Sequence, residues 1–183
     1  MLASDKSQWE TAMKNELSSI QKNGTSELVP LPQSKKALPC KWVYKIKHSS
    51  SDAKPRYKAR LVAKGFKQQH GIDFDEIFSP VVKMMTLRLM LGLVATKNLE
   101  LVQMDVKTTF LHGDLDEDIY MQQPEGFAVP GKEHLVCKLR MSLYGLKQVP
   151  RQWYQKFDTF MHSHGFKRSA EDPCLYVKRP RNG

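Results

Sequence analysis

The sequence predicts an α+β fold in which helices pack against antiparallel strands. Three stretches place apolar residues at the three- and four-residue spacing of a helix face. Between the first two of these, two runs alternate apolar and polar residues, which is the period of a strand with one buried face. A chain of 183 residues that is 40% hydrophobic and 26% charged can bury a core, so disorder is not the expected state.

The first predicted helix begins after Ser4 or Asp5, either of which can cap it. The sequence Asn23-Gly24 ends it, and a loop with three prolines follows. Its apolar face consists of Trp9, Met13, Leu17 and Ile20.

A two-stranded ribbon is predicted from residues 41–47 and 57–64, which the polar loop 48–56 connects. One face of the ribbon is apolar, and the other is cationic. The cations are Lys41, Lys45, Lys47, Lys58, Arg60 and Lys64. Such a face is usually only solvated, but six like charges repel one another unless a polyanion or an acidic neighbour compensates. Phosphate contact and a solvated surface therefore remain equally open.

The segment 71–76 clusters three carboxylates, but their spacing matches no EF-hand loop, which favours a structural turn. Ser79-Pro80 is typical of a helix N-cap and first turn. The second helix is therefore predicted from Pro80 to Lys97, with Asn98 ending it. The residues expected to face the core are Met84, Leu87, Leu91 and Val94.

Asp105 follows residues 99–104, an apolar run that reads as a strand, and precedes a polar turn. Nucleotidyl-transfer enzymes place a Mg²⁺-binding carboxylate at such a strand end. The alternative is a turn former or a helix cap. Further along, three consecutive carboxylates at 116–118 are expected to form a solvated bend rather than a metal site.

The C-terminal part is predicted to contain a strand near 135–139, a helix beginning at Pro150 and a last strand over 174–178. Gly165 suits the end of that helix, and a basic segment, 179–181, closes the chain. The apolar stripe of the helix consists of Trp153, Phe157, Phe160 and Met161.

The formal net charge of +10 is unevenly distributed along the chain. Residues 1–70 carry +9, residues 71–142 carry −4 and residues 143–183 carry +5. This pattern indicates a polyanion-binding surface around a centre that bears carboxylates, and the alternative is a basic protein without such a ligand. Three widely spaced cysteines fit an intracellular, reducing compartment, and no membrane span or secretory signal is expected.

Six segments in order resemble the reverse transcriptase of the copia-type LTR retrotransposon Pol polyprotein. They are KWVYKIK, RYKARLVAKGF, GIDFDEIFSPVVKM, QMDVKTTFLHGDLDEDIYMQQPEGF, VCKLRMSLYGLKQVPRQWY and DPCLYV. The resemblance implies one truncated right-hand polymerase domain, with fingers and a partial palm, over 1–183. Its expected parts are fingers-like 1–79, palm-like 80–114, a fingers-like return 115–149 and palm-like 150–183.

The resemblance also implies site residues. Asp105 matches the first catalytic aspartate, which with the backbone carbonyl of Val106 binds Mg²⁺, or Mn²⁺ in its place. Phe110 falls beneath the sugar, where it excludes a 2′-hydroxyl, although it can also be an ordinary core residue. The remaining nucleotide-binding candidates are Arg60, Lys47, Lys64, Gly145, Lys147 and Gln148.

The family's second metal motif carries two adjacent aspartates, and this chain contains no Asp-Asp pair. We therefore expect that it is truncated before that motif, that it is catalytically incomplete alone, and that it self-associates through an exposed palm edge. The partners implied are an RNA template, a DNA primer and deoxynucleotide triphosphates, in the cytoplasm or a virus-like particle. The alternatives are a non-catalytic nucleic-acid-binding module and a retrotransposon relic without function.

Overall fold

The computed structural model describes residues 5–48, 55–106 and 108–179. Within these ranges the chain forms three α-helices and seven strands, which confirms the α+β class. The helices are α1 (Lys6–Lys22), α2 (Met84–Lys97) and α3 (Val149–Ser163). The strands are β1 (Ser26–Val29), β2 (Cys40–Lys47), β3 (Arg56–Ala63), β4 (Asp114–Met121), β5 (Val136–Met141), β6 (Lys167–Arg168) and β7 (Tyr176–Val177).

The described strands form three antiparallel sheets. β5 lies between β1 and β4, β2 pairs with β3, and β6 pairs with β7. A single bridge between Leu38 and Met121 joins the start of the β2–β3 ribbon to the three-stranded sheet. Leu38 donates its N–H to the Tyr120 carbonyl at 2.7 Å and accepts from the Gln122 N–H at 2.9 Å. The ribbon is therefore attached to the larger sheet at its base.

The predicted ribbon is confirmed, with alternating faces. Trp42 lies opposite Leu61 and Tyr44 opposite Ala59, so their side chains share the apolar face. On the other face Lys45 lies directly opposite Lys58, a like-charge pair that is unfavourable in isolation.

Helix α1 covers the apolar face of the ribbon. The Trp9 ring meets the rings of Tyr44 and Tyr57 edge to face, at centroid distances of 5.0 and 4.7 Å. Ile20, near the end of α1, is buried in the main core. That core fills the space between α1, the ribbon and the three-stranded sheet, and includes Leu61, Leu111, Ile119 and Leu143.

Helix α2 differs from the prediction in both its start and its burial. It begins at Met84, because the Ser79 hydroxyl donates to the Pro150 carbonyl at 3.2 Å instead of capping a helix. Within the described structure no residue of α2 is buried, and Met84, Leu87 and Leu91 are exposed rather than facing a core. The predicted end is confirmed, since Asn98 adopts a left-handed conformation with φ 49°.

The strand predicted over residues 99–104 is wrong. The segment is exposed, has no regular secondary structure, and pairs with no described strand. An extended run becomes a strand only when a neighbour satisfies its backbone N–H and C=O groups. Its apolar sequence is therefore present without the pairing that the pattern predicted.

The solvated bend predicted around residues 116–118 is also wrong, because these residues lie within strand β4. Each carboxylate has a partner. Asp116 accepts from the Gln152 amide at 3.1 Å, Glu117 accepts from the Gln148 amide at 3.0 Å, and Asp118 pairs with Lys138 at 2.8 Å. The glycine and proline that flank residues 116–118 suggest a bend, whereas the three carboxylates are each bonded to a side chain of another element.

The C-terminal predictions hold in outline. The strand near 135–139 is β5, and α3 begins at Val149 with Pro150 in its first turn. Gly165 follows the helix with φ 80°, as a glycine at this position should. The last strand is shorter than predicted, and Phe160 of the expected stripe is exposed. Parts of the ribbon loop and of the basic terminal segment lie outside the described residues.

Candidate nucleotide and nucleic-acid site

Lys41, Lys45, Lys47 and Arg60 of the cationic face are exposed, whereas Lys58 and Lys64 are partly buried, and the members lie at different ends of the ribbon. Lys47 pairs with Arg56 at the loop end, whereas Lys64 follows the base of β3. Eight positions separate Arg56, the partner of Lys47, from Lys64, which at a rise near 3.3 Å per residue is about 26 Å. Lys47 and Lys64 therefore cannot contact the same phosphate group.

Arg60 points toward an aromatic side chain that the sequence did not mark. Its guanidinium carbon lies 5.1 Å from the ring centroid of Tyr144. The Tyr144 ring in turn meets the Phe110 ring edge to face at 6.0 Å. Arg60, Tyr144 and Phe110 thus form a row from the ribbon to the turn after Asp105. The only available signal for Tyr144 was its position beside Gly145.

Burial and neighbouring charges shift the pKa values of several groups around this row. Partial burial raises the pKa of Tyr144 and also that of Glu16. The pKa of Lys58 is lowered, first by burial and then by Arg60 and Lys47. Repulsion among the cations of this face thus adds to the effect of burial on Lys58.

The segment that follows Tyr144 lies directly against the end of the ribbon. The Ala63 N–H donates to the Tyr144 carbonyl at 2.8 Å. A Cβ added to Gly145 would lie 2.6 Å from Val62 Cγ1, and a Cβ added to Gly65 would overlap the Gly145 carbonyl. Gly145 also has φ 93°, which disfavours any side chain there. Both glycines are therefore required by close backbone approach.

Lys147 and Gln148 occupy unlike environments. The Lys147 ammonium lies 4.4 Å from the ring centroid of Phe74, a cation–π distance. Gln148 is fully buried, and its amide bonds to Gln68 at 3.0 Å and to the Asp73 carbonyl at 2.9 Å. The Gln148 side chain has no exposed surface with which to contact a ligand.

Asp105 and Val106 are both exposed in the irregular segment after α2. The Val106 carbonyl accepts the Thr109 hydroxyl at 2.6 Å. Thr108 has φ 51°, which is strained for a β-branched residue. Lys107 lies outside the described residues.

The Asp105 carboxylate and the Val106 carbonyl are the oxygen ligands that the described residues offer a divalent ion at this position. Across residues 5–48, 55–106 and 108–179, no three His, Cys, Asp or Glu side chains are arranged to hold a metal ion. One carboxylate and one carbonyl do not suffice for a pair of Mg²⁺ ions, which need several hard oxygen ligands each. The described residues therefore do not form a two-metal site.

The structure thus brings together some of the predicted residues. Arg60, Phe110 and Gly145 all contact Tyr144 or adjoin it, and Lys147 is on the same short segment. In the described part of the chain, no contact links Asp105 to this group. None of the helices in the described ranges has the length and hydropathy needed to cross a bilayer.

Comparison with known proteins places the chain in a family. The family described as reverse transcriptase (RNA-dependent DNA polymerase) matches residues 23–183. A retrovirus-related Pol polyprotein from transposon TNT 1-94 of Nicotiana tabacum is 61% identical over 175 residues. This match covers 96% of the chain and 13% of that polyprotein.

Two further relatives extend the comparison. The Pol polyprotein from transposon RE1 of Arabidopsis thaliana is 42% identical over 92% of the chain and 12% of its own length. The transposon Ty1-BL Gag-Pol polyprotein of Saccharomyces cerevisiae is 30% identical over 66% of the chain and 7% of its own length. No solved structure matches the chain. The chain spans about an eighth of the plant polyproteins, and it belongs to the reverse transcriptase family, in the copia-type branch that its motifs indicated.

Proposed function

We propose that this chain is the fingers and first palm portion of an RNA-directed DNA polymerase. The observation that carries the proposal is the family match across residues 23–183, together with 61% identity to a plant transposon polyprotein. The substrates in the intact protein are an RNA template, a DNA primer and deoxynucleotide triphosphates. The proposed site of action is the cytoplasm or a virus-like particle.

The proposed nucleotide site lies where the ribbon meets the segment after Tyr144. Arg60 binds phosphate, with Lys64 or Lys47 contacting neighbouring phosphates of the triphosphate or template. Phe110 lies beneath the sugar and excludes a 2′-hydroxyl. Gly145 allows close approach, and Lys147 adds a cation. The Arg60–Tyr144–Phe110 row supports this assignment, because it links three groups of the proposed site.

We further propose that Asp105 and the Val106 carbonyl bind a divalent ion, Mg²⁺ or Mn²⁺, in the intact protein. Such ions activate a primer hydroxyl and stabilise the leaving oxygen in nucleotidyl transfer. The other carboxylates of the site are proposed to come from elsewhere in the intact protein, since Asp105 is the only residue of this sequence that matches a catalytic carboxylate of the family. This chain alone is therefore expected not to polymerise DNA.

A chimeric polyprotein tests the proposal. The matching segment of the Nicotiana tabacum polyprotein is replaced by this chain, and extension of a DNA primer on an RNA template is measured with Mg²⁺ and with Mn²⁺. We expect extension by the chimera, its loss with Asp105→Asn, and its retention with Asp75→Asn at an exposed carboxylate. Extension by the isolated chain, or an inactive chimera that folds and binds template, would contradict the proposal.

A non-catalytic nucleic-acid-binding module is the second candidate, and the exposed cationic face of the ribbon favours it. Each removed cation should weaken binding and reduce the slope of log K against log salt by about one. We expect this result for Arg60→Gln and Lys64→Gln, measured by fluorescence anisotropy with an RNA/DNA hybrid across a salt series.

Two controls separate this binding from the metal site. Lys132→Gln removes a cation away from the ribbon, and it should leave the salt slope nearly unchanged. Asp105→Ala should not weaken binding in the absence of divalent ions. Equal losses for Lys132→Gln and Arg60→Gln would show that only net charge matters, which contradicts a ribbon site.

A further inference from the structure

We propose that Gln68 and Gln148 are positioning residues that form a buried amide clamp. The clamp fixes residues 144–147 against the end of the ribbon and so sets where Arg60, Tyr144 and Lys147 face one another. The inference rests on the proposed nucleotide site, and it assigns Gln148 a role other than direct contact with the nucleotide.

The hydrogen bonds of Gln148 leave no donor free. Its Nε2 donates to the Asp73 carbonyl at 2.9 Å and to Glu117 Oε2 at 3.0 Å. Its Oε1 accepts from Gln68 Nε2 at 3.0 Å. An amide nitrogen has two N–H groups, so both are used within the protein. The side chain is fully buried, and a nucleotide could reach it only if these bonds broke.

Gln68 connects the Gln148 side chain to the backbone of the proposed site, because it bonds both. Its Oε1 accepts the Lys147 N–H at 2.8 Å, and its Nε2 also donates to the Asp73 carbonyl at 3.3 Å. Gln68 is itself 5% exposed. The clamp therefore holds the main chain of Lys147, not only side chains.

The clamp joins three parts of the chain that are distant in sequence. Gln68 and Asp73 belong to the loop after β3, Glu117 lies on β4, and Gln148 precedes α3. At the other end of residues 144–147, the Ala63 N–H holds the Tyr144 carbonyl. The segment is thus fixed at both ends, and the left-handed Gly145 makes the turn between them.

Glutamine is the side chain that this arrangement requires. Methionine at position 148 has nearly the same length but would remove the donor to Glu117, one of the two donors to the Asp73 carbonyl, and the acceptor for Gln68 Nε2. Glutamate would place a second carboxylate beside Glu117. A buried polar group that loses its partner favours local opening, which is measurable at the amide it protected.

Amide hydrogen exchange of the whole chain, followed by NMR, tests the clamp without any ligand. We expect the Lys147 amide to exchange roughly 10- to 100-fold faster in Gln148→Met and in Gln68→Met than in the wild type. Gln69→Met, at an exposed glutamine of the same loop, should leave this rate unchanged. If Gln148→Met does not fold, Gln68→Met decides, because it leaves the bonds from Gln148 to Asp73 and Glu117 intact. Unchanged exchange in both clamp variants would overturn the proposal.

Titration with dATP and Mg²⁺ then tests the link to the nucleotide site. Each clamp variant should weaken binding several-fold, and the double variant should weaken it no further than Gln148→Met alone, since both side chains act as one unit. If Gln148→Met weakens dATP binding but leaves the exchange rate of the Lys147 amide unchanged, Gln148 contacts the nucleotide directly. That result would overturn the proposed clamp. If the wild type binds no dATP, the proposed nucleotide site fails, while the exchange rates still decide whether the clamp exists.

Discussion

Asp172 shows how one distant side chain determines where a helix begins. It is buried, its Oδ2 accepts the Lys83 N–H at 3.1 Å, and its Oδ1 accepts the Cys174 N–H at 2.9 Å. Lys83 directly precedes helix α2, so Asp172 supplies the N-terminal acceptor that Ser79 does not. The same carboxylate turns the chain at Cys174, which gives a physical reason for the Asp-Pro-Cys sequence.

The charge of Asp172 should make the stability of the chain depend on acid pH. The Thr86 hydroxyl, then the Cys174 and Lys83 N–H groups, lower the pKa of Asp172 below its usual 3.8. When the pKa of a carboxyl group is lower in the folded than in the unfolded protein, the charged group stabilises the fold at any pH above its unfolded-state pKa. This stabilisation is lost as the pH falls through the folded-state pKa. We expect Asp172→Asn to lower the urea midpoint at pH 7 and to flatten the midpoint's decrease below about pH 4.

The neighbouring Glu171 offers a matched control, since Glu171→Gln also removes one negative charge but at an exposed side chain. Circular dichroism during urea unfolding at several pH values gives both midpoints. The same decrease at pH 7 for both variants would show that net charge, and not the contacts of Asp172, is responsible.

At the scale of elements, two glycines fix how the ribbon meets the segment before α3. The backbones of Gly65 and Gly145 touch, so the distance between the ribbon and this segment depends on the absence of side chains at both positions. A third glycine, Gly92 in α2, has open space around the position of a Cβ. The three positions therefore respond differently to the same substitution.

We expect Gly65→Ala to destabilise the chain by about 2 kcal/mol or more, because its Cβ would overlap the Gly145 carbonyl and the backbones would have to separate. Gly92→Ala should instead stabilise it by roughly 0.5–1 kcal/mol, because alanine favours the helix and meets no atom. Urea unfolding measures both changes. A neutral Gly65→Ala would mean that the close contact is absent in solution.

At the scale of the whole molecule, the described structure has a core on one side and an uncovered apolar surface on the other. This surface comprises α2 and the irregular segment 99–106. Met85 is 74% exposed, Leu89 64% and Met104 87%. Contiguous exposed apolar residues of this extent mark an interaction surface or an aggregation liability.

We propose that this surface makes the chain self-associate, and we expect its weight-average mass in sedimentation equilibrium to rise with protein concentration. The double substitution Met85→Gln and Leu89→Gln should reduce that rise, because glutamine keeps a comparable helix propensity but removes apolar surface. Leu31→Gln, at an exposed leucine in the proline loop, is the control. A monomer at every concentration would contradict the prediction.

The sequence predicted well those elements whose partners are nearby along the chain. The ribbon, α1 and α3 follow from local periodicity, and the structure places Trp42 and Leu61 on one face as predicted. What failed depended on distant partners. Asp172 bonds the residue that precedes α2, and Gln148, Gln152 and Lys138 bond the carboxylates of β4. Residues 99–104 pair with no strand in the described part of the chain.

The candidate site shows the same division. Motifs identified Arg60, Phe110 and Gly145, and the structure brings them together. Tyr144 was missed, and Gln148 was assigned to nucleotide contact rather than to its bonds with Gln68, Asp73 and Glu117, because contacts between residues distant in sequence are unknown until the fold is known. The position of Asp105 relative to the other groups stays a prediction.

The hydrogen bond from Lys83 to Asp172 spans 89 residues. During synthesis, the first turn of α2 therefore leaves the ribosome long before the carboxylate that caps it. Local contacts such as the ribbon can form early, but the start of α2 must wait until almost the whole segment has been translated. Ribosomes stalled before residue 172 should thus carry chains in which the region around Met84 remains sensitive to protease, while the ribbon is already protected.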